Sequence, residues 1–176
     1  LPEQRPRLTN EEVMARCPWA TFGKLKHRGP NIVTSLELDP AEMEKRNIHL
    51  QQKYAEIEEK EVRYEEMHCD DAEYLIVAFG SCARIAQKAM EEARAEGIKV
   101  GLLRPITLWP FPSKAIAERS RQVKGILTVE LNAGQMVEDV RLAVECKVPV
   151  EYFGRLGGIV PDPDEVVTAL KEKIIK

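Results

Sequence analysis

The chain reads as an α/β fold: three layers, a mainly parallel sheet with helices on both faces, preceded by a long linker helix. Three observations predict it. Tyr74–Phe79 (YLIVAF) is a continuous apolar run, the signature of a strand buried on both faces. Over residues 72–176, strand-like and helix-like segments alternate, as they do when parallel strands are joined by helical crossovers. Asp39-Pro40 and Asp162-Pro163 each place a capping residue before a proline at a first helical position.

The elements follow in order. Residues 1–38 are expected to be an irregular interdomain segment, interrupted by Pro2, Pro6, Pro18, Pro30, Gly23 and Gly29. Within it, Thr9 and Glu12 have capping-box spacing, and Ile32–Leu36 reads as a short strand. A loop-rich lead of that length packs on something else. Residues 39–71 are assigned to a linker helix. Its helical pattern over 39–66 has Asp39 as cap, Glu42 closing a box, and Met43, Leu50, Ile57 and Tyr64 at seven-residue spacing. Glu56 with Lys60 and Glu59 with Arg63 stand four residues apart. The stripe predicts a helix lying across the body of the same protein; pairing between chains is the alternative.

Residues 72–176 form the α/β domain. After the first strand, Ser81–Glu96 is helical and Gly97 ends it. Strands are expected over Ile98–Leu103, Gly125–Val129 and Val148–Tyr152, and helices over Lys114–Arg121, Ala133–Cys146 and Pro163–Ile175. Glu165 closes a capping box on Asp162.

Composition narrows the function. The net charge of −3 speaks against a nucleic-acid partner. It is unevenly distributed: +3 over residues 1–36, −7 over 37–71 and +1 over 72–176. No apolar run approaches the roughly 20 residues of a membrane helix, and no signal peptide is visible, so a cytoplasmic protein is expected. Beginning at Leu1 in loop-like sequence, the chain reads as a piece of a longer one. Cys17, Cys69, Cys82 and Cys146 form no CxxC, and His27, His49 and His68 are scattered, so neither a metal site nor a disulfide framework is expected.

In open parallel sheets, ligands and partners use the carboxyl ends of the strands. The unusual residues of this chain collect there. Gly80-Ser81 after the first strand is a weak anion-site candidate, with Ser81 as a plain helix cap the alternative. Arg155, Gly157 and Gly158 after the fourth strand form a second such candidate, or a turn. LRPITLWPFP carries Arg104, Pro105, Thr107, Trp109, Pro110, Phe111 and Pro112. Its prolines stiffen the backbone around two rings, which either anchor an interface or cover the core. Glu130, Asn132, Gly134 and Gln135 follow the third strand. Glu130 is expected to pair with Arg104, with a catalytic carboxylate the alternative, and Asn132 with Gln135 has capping-box spacing. Nothing in the α/β domain forms a Ser/His/Asp or Cys/His set, so no catalytic residue is assigned.

Three stretches carry a resemblance. LRPITLWPFP, VKGILTVELNAGQMVEDVRLAV and the GRLGG-to-PDPDEV turn resemble the C-terminal domain of the alpha subunit of 2-oxoacid:ferredoxin oxidoreductases. The likeness is greatest to the 2-ketoisovalerate (branched-chain) type. Upstream, PWATFG, NIVTSLELDPAEMEKRN and LQQKYAEIEEKEVRYEE are similar to that subunit's interdomain linker. The resemblance implies a transketolase C-terminal-like fold and a parent enzyme that converts a 2-oxoacid and coenzyme A to acyl-CoA, carbon dioxide and reduced ferredoxin. It implies thiamine diphosphate, magnesium and iron–sulfur clusters in the parent complex, with none on this segment. Partners would be the thiamine-binding and cluster-binding subunits, ferredoxin through the complex and, as an open question, coenzyme A. The rim residues named above would then serve subunit or domain assembly. A Rossmann-like module binding an anionic nucleotide such as coenzyme A is the competing reading.

Overall fold

The computed structural model describes residues 7–20, 29 and 35–175. The chain divides into two compact units, Leu1–Asn47 and Ile48–Lys176. In the first, α1 (Asn10–Arg16) starts as its sequence requires: Thr9 Oγ1 accepts the Glu12 N–H at 3.2 Å and the Glu12 carboxylate accepts the Thr9 N–H at 2.8 Å. The strand expected over Ile32–Leu36 falls largely outside the described residues, as does His27.

Helix α2 (Pro40–Lys60) is capped by Asp39, whose Oδ1 accepts the N–H groups of Ala41 (2.8 Å) and Glu42 (3.2 Å). Glu42 does not close the box; its carboxylate holds Lys45 at 2.6 Å. The helix also stops six residues short of the expected Glu66. Residues Tyr64–Met67 form strand β1 instead, pairing antiparallel with β3 (Val100–Pro105) in the register Glu65↔Arg104. The Arg63 N–H donates to Thr107 Oγ1 at 3.0 Å, and Arg63 O accepts from Ile106 and Thr107. These contacts from 44 residues away satisfy the backbone that a longer helix would have satisfied internally. Once the helix has ended, Arg63 pairs with Glu61 (3.1 Å) rather than Glu59, while Glu56–Lys60 forms at 3.6 Å as expected. The α/β unit therefore extends upstream of residue 72.

The remaining strands are β2 (Tyr74–Ala78), β4 (Ile126–Glu130) and β5 (Val150–Gly154), and the sheet order is β1-β3-β2-β4-β5. Every pair except β1–β3 is parallel. Alternation along β2 sorts the core into two layers. Ile76 and Ala78 face α3 (Gly80–Ala95) and α6 (Pro163–Leu170) across Ala86, Met90, Val166 and Leu170. Leu75 and Val77 face α4 (Ser113–Ser120) and α5 (Met136–Val144) across Ile116, Val137 and Val140. The three-layer reading holds.

Two expected caps are also present. Helix α3 ends in a Schellman motif: the Ile98 N–H donates to Ala93 O (3.0 Å) and the Gly97 N–H to Arg94 O (2.9 Å). The Glu165 carboxylate accepts the Asp162 N–H at 3.1 Å where α6 begins, and a π-helical turn, Lys171–Ile175, follows it. No helix among the described residues is long and apolar enough to cross a membrane.

Because β4 lies on the far side of β2 from β3, the chain reverses direction across the sheet between β2 and β4. The loops after all four parallel strands leave from the same end, and a switch point of this kind is where open sheets leave a crevice.

Candidate functional site: the carboxyl rim of the sheet

The rim has three parts. The first is the β4–α5 turn, built around Glu130. This carboxylate ends a buried strand and is 0% exposed. Its Oε2 accepts the N–H groups of Gln135 (3.2 Å) and Met136 (2.8 Å), and its Oε1 that of Val137 (2.9 Å). A negative charge thereby satisfies the free N–H groups where α5 begins and complements its dipole. The expected Glu130–Arg104 pair does not form, because β2 lies between β3 and β4; Arg104 pairs with Glu65 at 2.9 Å. Asn132 and Gln135 make no capping box either. Asn132 Oδ1 accepts from Gly134 (2.8 Å) and Gln135 (3.1 Å), and α5 starts after Gln135, later than expected. The Tyr152 hydroxyl donates to Asn132 O, and the Arg155 N–H donates to Glu130 O at 3.3 Å. Burial, with the Glu130 charge, pushes the Tyr152 phenol and the Cys82 thiol above their ordinary values.

The second part is the β3–α4 loop. Thr107 Oγ1 donates to Pro110 O at 2.8 Å, and the Trp109–Pro110 peptide is cis. Pro105, Pro110 and Pro112 are buried. The two rings split between the roles proposed for them. Phe111 packs at the edge of the α4/α5 core layer, whereas Trp109 is 56% exposed. Trp109 meets Tyr54 of α2 edge-to-face, ring centroids 5.7 Å apart.

The third part comprises the anion candidates. Helix α3 begins at Gly80, so Ser81 is a second helical residue and not the cap; the N-cap position belongs to Phe79, and no side chain caps the helix. Gly80 and Ser81 are exposed. The Arg155 guanidinium, however, is engaged by Glu165. Gly157 and Gly158 lie in an exposed turn.

Apart from Trp109, sequence reasoning missed the exposed apolar side chains of this rim. Ile106, Leu108 and Trp109 after β3, Leu131 after β4, and Leu156, Ile159 and Val160 after β5 are all exposed. The signal was present as apolar residues inside proline- and glycine-rich loops, but it acquires meaning only once three loops are known to share one end. Among the described residues no group of three His, Cys, Asp or Glu side chains gathers as a metal site, and Cys17, Cys69, Cys82 and Cys146 are unpaired thiols. His49 and His68 are exposed.

Comparison with known proteins agrees with this architecture. The family model described as pyruvate:ferredoxin oxidoreductase core domain II matches residues 72–166. A ketoisovalerate oxidoreductase subunit, VorB, of Methanothermobacter thermautotrophicus is 49% identical over 165 residues, 92% of this chain and 46% of its own. The chain spans less than half the length of the curated relatives it matches first. Among solved structures, a 2-oxoglutarate:ferredoxin oxidoreductase from Magnetococcus marinus, with 2-oxoglutarate, coenzyme A and succinyl-CoA bound, superposes with a TM-score of 0.67. It is 25% identical over 77% of this chain and 24% of its own. A split-gene transketolase (TM-score 0.55, 22% identity, 62% of this chain and 40% of its own) shares the fold, in line with the transketolase C-terminal-like expectation. The chain belongs to the pyruvate:ferredoxin oxidoreductase core domain II family.

Proposed function

We propose that the chain is a non-catalytic domain of a 2-oxoacid:ferredoxin oxidoreductase alpha subunit, of the 2-ketoisovalerate type, and that its carboxyl rim serves assembly. The parent enzyme would convert 2-ketoisovalerate and coenzyme A to acyl-CoA, carbon dioxide and reduced ferredoxin in the cytoplasm. One observation carries the reading: the buried carboxylate of the rim is occupied by backbone N–H groups, while the apolar side chains around it face outward. A surface of that kind excludes water against a partner and offers no base or nucleophile. Thiamine diphosphate, magnesium and iron–sulfur clusters belong, on this reading, to the parent complex; among the described residues no group of three His, Cys, Asp or Glu side chains gathers.

The test is co-purification of the alpha subunit with its partner subunits. Leu156→Glu with Ile159→Glu should lower the recovered complex at least about tenfold, because burying unpaired charge in an interface is costly, while leaving the fold intact by circular dichroism. Full recovery of the complex would overturn the reading. The coenzyme A module has one observation in its favour, the uncapped start of α3. It predicts a raised melting temperature in millimolar coenzyme A. With Arg155 already held by Glu165, no shift is expected.

A further inference from the structure

We propose that a groove beside Trp109 takes a cationic, proline-containing segment of a partner polypeptide in extended conformation. The groove lies entirely within the second unit and encloses about 810 Å3. Its floor comes from the stiff loop that carries Trp109 and Phe111, with Tyr64 of β1 alongside. Its lining also includes Glu58 and Glu59 from α2 and Glu118 from α4.

The charges identify the occupant. On α2 and just after it, Glu42, Glu56 and Glu61 have cation partners in Lys45, Lys60 and Arg63, whereas, among the described residues, Glu44, Glu58 and Glu59 have none. Among the described residues, the carboxylates of Glu58, Glu59 and Glu118 have none, and Lys114 is the one cation of the lining. Three unpaired carboxylates from two elements repel nucleic acid and acidic membrane surfaces. An apolar partner would leave them unpaired on burial, which is unfavourable. A guanidinium answers them, and it also stacks on an exposed indole such as Trp109.

The floor selects the backbone form. Grooves lined by aromatic side chains, here Tyr64, Trp109 and Phe111, are the kind of surface that takes polyproline II segments, whose preformed backbone loses little entropy on docking. The carboxylates then read cationic side chains on either flank. The inference rests on the assembly reading only for the existence of a partner chain; the chemistry of the groove stands on its own lining.

Trp19 and Trp109 are the two tryptophans of the chain, so Trp19→Phe leaves Trp109 as a single reporter. The probe is a synthetic hexapeptide with proline at alternate positions and arginine, leucine and arginine between them, titrated into the 176-residue chain while tryptophan emission is followed. Saturable quenching is expected, weakening about fivefold or more in the E58Q/E59Q/E118Q variant and falling as salt rises. The three substitutions are on exposed positions and leave the fold intact. Absence of saturation overturns the proposal, as does equal binding of the peptide with glutamate in place of arginine, or undiminished binding by the triple variant. Concentration-dependent dimerisation that quenches Trp109 without peptide would also overturn it, by giving the groove to a second copy. Peptide binding with no co-purifying subunits would sink the assembly reading alone; co-purification without peptide binding would sink the groove alone.

Discussion

The β4–α5 turn and the β3–α4 loop leave the same end of the same sheet, and both carry conspicuous residues. They are built in opposite ways. The first is closed on itself: Glu130 is buried, three N–H groups converge on its carboxylate, and Asn132 is held by Tyr152. The second has its backbone fixed by prolines and by Thr107, with Trp109 left outside. A polar residue at the end of a parallel strand need not be chemical; when the next helix starts over it, the helix's own N–H groups are its nearest partners. Among the described residues, Trp109 has only the edge of Tyr54 as an internal ring partner, whereas Phe111 of the same loop packs at the edge of the core.

The sharpest way to break this comparison is Glu130→Ala. It leaves three N–H groups without their acceptor in a closed site and should lower stability by about 3 kcal/mol or more, read from the urea midpoint. A loss under about 0.5 kcal/mol would mean that the turn is held by something else.

Tyr152 supplies a pH test of the same turn. Its phenol donates to Asn132 O and titrates above the ordinary 10.0 because burial and the Glu130 charge disfavour the phenolate. The stability it contributes is full below that ordinary value and is lost as pH rises through the raised one. Tyr152→Phe should cost about 1 kcal/mol at neutral pH and flatten this part of the alkaline decline in the urea midpoint. An unchanged alkaline slope would place the decline elsewhere.

Trp109→Ala should have the smallest effect on the fold, about 1 kcal/mol or less, since it removes one edge-to-face pair and an already exposed ring. A larger loss would move Trp109 into the same structural class as Glu130 and remove the distinction between the loops.

How far each feature could be read depended on whether its partners were local. The run at Tyr74–Phe79 was legible because a strand buried on both faces is apolar throughout. The start of α1 and the end of α3 were legible because a cap is completed within a few residues of itself. Strand β1 was not. Tyr-Glu-Glu-Met continues a helical charge pattern, and only the edge of β3, with Arg104 and Arg119 meeting Glu65 and Glu66, draws it into the sheet. Glu130 was read as a candidate partner for Arg104 because both follow strands, but strand order cannot be counted along the chain: β2 separates them.

The residues themselves determined the alternation of strand and helix after residue 72, the caps that begin α1, α2 and α6, the glycine end of α3, the two-sided core and the membership of a family, because each is written in short-range pattern or in motif. Tertiary structure alone decided that seven apolar side chains from three loops share one rim, that Glu130 closes a turn, and that Glu58, Glu59 and Glu118 flank one groove. Those are relations between segments tens of residues apart. They exist only once the sheet order has chosen which strand ends are neighbours.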